Sequence, residues 1–282
     1  MSNPVFNKME NQWAQPGAAA TQQAQTQRPP TYDQRAFDEA RLAYEGPAAD
    51  AVDTGRMTYD DVIVKTSLNL LVLIAVAALT WMTASANPAL AMPFMMGGIL
   101  LGFAAAMVNI FSKTIRPALI LTYSALQGVG LGALSLVTNT LYPGVVLQAV
   151  VATFVVFGVT LALFTSGTVR NSPKMQKFAL ISIIGIILSR LAIWVLVMIG
   201  VPVGGLEGGG PTLMGFPLAI VISMFAVLIG AICLISDFDQ VKVGVNRGVP
   251  AKYAWSCAFG MMVTLVWLYV EILNILSRMQ QR

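Results

Sequence analysis

Four ionisable side chains stand inside or at the edge of long apolar runs, where a charge is costly to hold. Arg190 interrupts IIGIILSRLAIWVLVMIG, Glu271 interrupts LVWLYVEILNIL, and Asp237 and Asp239 close the run CLISDFDQVKVG. An ionisable group at membrane depth is rare and marks a candidate functional position by default. Carboxylate oxygens are the ligands that hard cations such as Ca²⁺ prefer, and paired or ringed acids favour cation passage. Asp237, Asp239 and Glu271 are therefore the candidate ion-binding and gating residues, and Arg190 the candidate intramembrane charge partner. On a helix, Asp237 and Asp239 point about 200° apart. They cannot both face one site, so one is expected to face inward and the other to reach Lys242 or water.

The elements that position these groups follow from composition. Of 282 residues, 56% are apolar and 11% charged, with a mean hydropathy of +0.72, against roughly 25% charged in a soluble domain that must wet its surface. Crossing a bilayer core takes about 20 apolar residues. Seven stretches qualify: Ser67–Ala86, Ala91–Phe111, Ala118–Leu141, Val145–Thr165, Phe178–Val201, Phe216–Ser236 and Ala254–Leu276. Pro- and Gly-bearing breaks separate them, among them Asn87–Pro88, Tyr142–Pro143–Gly144 and Asn246–Pro250. The expectation is an all-α, seven-transmembrane-helix bundle over residues 57–282. Residues 1–56 are rich in Gln, Ala, Thr and Pro and cannot bury enough apolar surface to order themselves, so a disordered tail is expected. Thr58 with Asp61 reads as a capping box at the start of the first helix.

Lys and Arg gather in alternate loops: Lys113 and Arg116; Arg170, Lys174 and Lys177; Lys242, Arg247 and Lys252. By the positive-inside rule these loops and the N-terminus are cytoplasmic, and an odd number of spans puts the C-terminus outside. No signal-peptide core precedes the first span. Within the spans, Gly98, Gly102 and Ala106 recur every fourth residue, as do Ser124, Gly128 and Gly132. Such stripes let backbones approach closely, either in a dimer or, as expected for a polytopic chain, between the second and third helices of one molecule.

Depth links two of the charges. At about 1.5 Å per residue, Arg190 lies roughly 18 Å above the start of span five and Glu271 roughly 25 Å above the start of span seven, a gap an extended Arg bridges if the helices are adjacent. Two roles stay open for the pair: a buried salt bridge that fixes helix register, or part of an ion pathway. Other chemistries are excluded more firmly. The chain has no His, which removes imidazole bases and the commonest zinc sites. Cys233 and Cys257 have no partner motif and read as small hydrophobes. The net charge of +4 comes from loops, and no basic cluster with interleaved aromatics suggests nucleic acid. No cofactor is expected, and no metal beyond transient calcium at the three acids.

Three segments in order make a pattern: MTYDDVIVKTSLNLLVL at the first span, ISDFDQV at the end of the sixth, and YAWSCAFGMMVTLVWLYVEILNIL for the seventh. With these, residues from Met57 onward resemble the Bax inhibitor family, in a bacterial branch with a long tail that the MSNPVF opening also resembles. The resemblance implies a bundle with the last helix central, and a pH-sensitive calcium leak in the plasma (inner) membrane of a bacterium. It also implies an aspartate of span six paired with an acid of span seven. Asp237 matches the first, although the family's Asp-Thr-Gln reads here as Asp237-Phe238-Asp239. Matching LYVEIL puts Glu271 in the second place; matching by distance from Asp237 puts Met261 to Val263 there and leaves no acid. Glu271 is preferred because it is the acid of that span. In this scheme a proton shared by the two acids latches spans six and seven, and ionisation of both loosens the latch.

Function is expected to be that of a cation leak channel acting as a monomer in the lipid bilayer. The alternative is a non-transporting modulator that binds other membrane proteins or their quality-control machinery. An intramembrane enzyme is the third class, and with no nucleophile–base pair in view the chain is not expected to be one.

Overall fold

The computed structural model describes residues 55–112, 114–199, 212–213 and 216–281. Seven helices dominate: α1 (Tyr59–Ala86), α2 (Ala91–Phe111), α3 (Pro117–Leu141), α4 (Val145–Thr165), α5 (Pro173–Met198), α6 (Leu218–Asn246) and α7 (Tyr253–Gln280). Each is long and apolar enough to cross a membrane. A short hairpin, β1 (Thr212–Leu213) with β2 (Phe216–Pro217), precedes α6. The tail expected for residues 1–56 lies outside the described residues, apart from Gly55 and Arg56.

Local chemistry sets the helix ends. Thr58 caps α1: its hydroxyl accepts from the Asp61 amide at 3.1 Å, and the Asp61 carboxylate accepts from the Thr58 amide at 3.3 Å. Lys65 Nζ then joins Asp61 at 2.9 Å and donates to the carbonyl of Ala251 at 3.1 Å. The chain just before α1 is strapped to the α6–α7 loop. The Met57 amide donates to Val249 O at 2.7 Å and the Ala251 amide to Gly55 O at 2.9 Å, and the Met57 side chain is buried over Gly244 of α6, in one core cluster with Phe238, Val241 and Ala254. Thr58→Ala is expected to lower stability by about 1 kcal/mol through loss of the cap, read as a lower midpoint of thermal unfolding in detergent. An unchanged midpoint would mean that the strap alone holds this end.

α6 runs ten residues beyond the expected end at Ser236, through polar and basic residues that apolarity alone does not mark as helix. It stops at a glycine: Gly248 sits at φ +60°, its amide donates to Val245 O, and the Val249 amide donates to Gly244 O. That is the paired bonding of a Schellman end, for which glycine is the favoured residue. α5 likewise begins five residues before Phe178, at Pro173, with the Ser172 hydroxyl accepting from the Met175 amide at 3.2 Å; proline at a first helical position is preorganised for this.

α3 is sandwiched between α1 and α2, and α7 packs against α1, α3, α4 and α6. These two helices are the most buried, with half of each span window inside, so the last helix is central, as expected, and shares that place with α3. The small-residue stripes work within one molecule but not as a single seam. Gly98 of α2 meets the backbone of Gly130 in α3, while Gly128 and Gly132 turn the other way, onto Leu73 and Ala77 of α1. Ser124, in the same stripe, donates to Asn69 Oδ1 of α1 at 2.9 Å. α3 thus uses glycine on two faces, one for each neighbour.

Candidate functional site

A helix turns about 100° per residue, and three consecutive residues of α6 therefore reach three different neighbours. Asp237 faces α7, where its Oδ2 accepts from the Thr264 hydroxyl at 2.7 Å and its Oδ1 lies over Gly260. Phe238 faces α4, edge-on to Phe157 at 5.4 Å and tilted against Phe164 at 5.8 Å. Asp239 faces the start of α5, accepting from Asn171 Nδ2 at 2.9 Å. The aromatic contacts of Phe238 hold the rotation of α6, and with it the aim of both acids. Lys242, one of the two partners expected for the outward acid, does not meet Asp239; it lies 5.9 Å from the centre of the Phe164 ring. The reason is reach: the α4–α5 connection brings an amide directly onto Asp239.

Among the described residues the ion pairs are Lys65–Asp61 and Arg190–Glu271. Asp237 has no Lys or Arg against it there, and its one hydrogen-bond donor is neutral. Thr264 Oγ1 also lies 3.2 Å from the carbonyl of Gly260, its own helix's i−4 position. One hydroxyl proton therefore chooses between the backbone of α7 and the carboxylate of α6.

Arg190 and Glu271 form the second charged locus. Arg190 Nη2 lies 3.2 Å from Oε1 and 3.1 Å from Oε2 of Glu271, and Trp267 Nε1 donates to Oε1 at 3.4 Å. The glutamate side chain is 6% exposed and the arginine 43%. With the observed helix starts, Arg190 sits about 25 Å into α5 and Glu271 about 27 Å into α7. The two are nearly level, closer than the expected span limits suggested, because α5 begins earlier than its apolar stretch. Two further side-chain contacts join helices in the interior: Asn69 with Ser124, and Ser135 Oγ with Tyr269 OH at 2.6 Å.

The family model described as Bax inhibitor 1 like matches residues 3–281. The chain belongs to the Bax inhibitor 1-like family. No curated protein matches it.

In this Bax inhibitor 1-like chain the expected pairing of Asp237 with Glu271 is not what the helices make. Glu271 is seven residues beyond Thr264, about 10 Å along α7, and it is occupied by Arg190. The position facing Asp237 is close to the one reached by counting along the chain, Met261 to Val263, and it carries a hydroxyl in place of an acid. At Asp237 the contact between α6 and α7 is thus a carboxylate–hydroxyl hydrogen bond. Thr264 escaped the sequence reading because a threonine in a span is ordinary: its hydroxyl is satisfied by its own helix. Asn69 escaped because only ionisable groups were weighed; an asparagine in an apolar run, buried at 0% exposure, is itself a signal for interhelical bonding. Among the described residues no three His, Cys, Asp or Glu gather as metal ligands.

Proposed function

We propose that this chain is a cation leak channel, calcium among its ions, whose conductance responds to pH at Asp237. The observation that carries the reading is a carboxylate inside a membrane-spanning helix pair with only a neutral hydroxyl against it. An ionised carboxylate at that depth is costly without a countercharge. It is relieved either by a proton or by a passing cation, and those two compete for the same oxygens. Hard oxygen ligands suit Ca²⁺ as cargo. Arg190 and Glu271 neutralise each other and serve in this reading as the fixed part of the bundle. In this reading the loop carrying Gly248 faces the cytoplasm of a bacterial cell, and Asp237 is the acid of α6 turned onto the central helix α7 on the way to that exit.

Calcium flux into liposomes holding the purified full chain, measured across pH, tests the reading. The wild type is expected to leak with a pH-dependent rate. Asp237→Asn is expected to lose most of that dependence, and Asp239→Asn to keep the wild-type profile. Thr264→Val removes the donor but leaves the acid, so its profile is expected to shift along the pH axis without flattening. An Asp237→Asn variant that titrates like wild type moves the role elsewhere. A wild type that passes no cation at any pH ends the channel reading and leaves the non-transporting modulator.

A further inference from the structure

A cavity of about 460 Å³ lies between α1 and α4, with α3 and α7 as its floor. Ala78 of α1 and Val150 of α4 stand at its rims, both exposed, and the two helices do not form a packed pair across it. None of its lining residues is charged. Its one interhelical polar contact, Ser135 with Tyr269, is internally satisfied, because Ser135 Oγ also lies 2.5 Å from Leu131 O.

Shape and depth describe what fits. On α1 the lining runs from Leu70 to Met82, about 18 Å along the helix axis. At its far end Met82 is four residues from the end of α1, and Val146 is the second residue of α4. The cavity therefore starts near one face of the bilayer, beside the α3–α4 turn, and reaches towards the middle. A hydrocarbon core is about 30 Å thick, so the chains of one leaflet are about 15 Å long. The volume is in the range of specific small-molecule sites, roughly 300–1,000 Å³. Water does not wet such a lining, and the neighbouring solvent is hydrocarbon.

We propose that this cavity is a binding site for one acyl chain of a bilayer phospholipid, which enters between α1 and α4 from the leaflet at the α3–α4 turn. The chain belongs to a phospholipid and not to a free fatty acid, because the lining offers no Lys or Arg to hold a carboxylate. Its tail lies against Leu265, Val266 and Tyr269 of α7. Val266 is about 200° around α7 from Thr264, so the lipid rests on the face of the central helix turned away from Asp237. The site stands independently of the leak reading, and its test measures no flux.

The test uses the full chain in lipid nanodiscs doped with a phosphatidylcholine whose acyl tail carries a diazirine. After irradiation, labelled residues are located by mass spectrometry. Lipid-facing residues such as Leu79 and Leu147 mark the annulus in every sample. In the wild type, label is also expected on Leu265, Val266 or Tyr269, behind the rims. Ala78→Trp combined with Val150→Trp fills the mouth and is expected to remove the α7 label while leaving the annular label intact. Wild type labelled on the annulus but on none of the three α7 residues overturns the proposal without recourse to any variant. So does an α7 label that persists in the double variant, or one given by a diazirine fatty acid and not by the phospholipid.

Discussion

Arg190→Met is expected to destabilise the folded chain by about 3–5 kcal/mol, because it leaves the Glu271 carboxylate buried without a countercharge. The pair is asymmetric. Glu271 is fixed in the central helix and 6% exposed, whereas Arg190 sits on α5 and is 43% exposed. A half-exposed guanidinium on a flexible stem can swing away when its partner is lost; the glutamate cannot. Glu271→Gln is therefore expected to cost less than Arg190→Met, and the two together less than Arg190→Met alone, since the double variant holds no unpaired charge at that depth. Unfolding of the four proteins of this cycle in detergent, with denaturant as the variable, measures the coupling directly. Simple additivity of the two losses would mean that the contact at 3.1 Å carries no energy.

The second large effect is expected at a residue with no functional group. In Gly132 of α3, an added Cβ would lie against the backbone of Ala77 in α1, with its α-carbon at 2.9 Å. Main chain on both sides cannot step aside as a flexible side chain does. Gly132→Ala is expected to cost at least the roughly 1–3 kcal/mol typical of overpacking. Gly97 of α2 is the control, because a Cβ there meets nothing within 4 Å. Gly97→Ala is expected to gain up to about 1 kcal/mol from helix propensity. Opposite signs for two identical substitutions, read as shifts in the thermal midpoint, report the α1–α3 contact; equal shifts would count against it.

How much of this was legible beforehand depends on what each residue signals. The seven spans follow from length and apolarity, and the capping box of α1 from Thr58 and Asp61. Arg190 and Glu271 could be linked because few charges lie so deep and their depths are similar. The end of α6 was not legible, since helix continues past the lipid into residues whose composition no longer reports it. What stops it is backbone geometry at Gly248, invisible in a hydropathy trace. The partner of Asp237 was not legible for a different reason. Acid-to-acid matching assumes that like chemistry faces like, whereas helix register decides who faces whom, and register here puts a threonine on the spot. The glycine stripes announced close approach but not which helix approaches, because glycine at four-residue spacing smooths a face without aiming it.

The position of α3 bears on how the chain is assembled during synthesis. It has the lowest hydropathy of the seven spans, 1.5 against 2.3 for α1 and 2.0 for α2. α1 and α2 pack on it from either side and scarcely on each other. Emerging from the ribosome first, that leading pair partitions into lipid readily but has little interface to join it. α3 arrives third, less at home in hydrocarbon, and meets two waiting surfaces that its bare backbone fits. With half of its span window inside the protein and both neighbours packed on it, α3 is the piece that joins them, so the first three spans become a unit only when the third has been made.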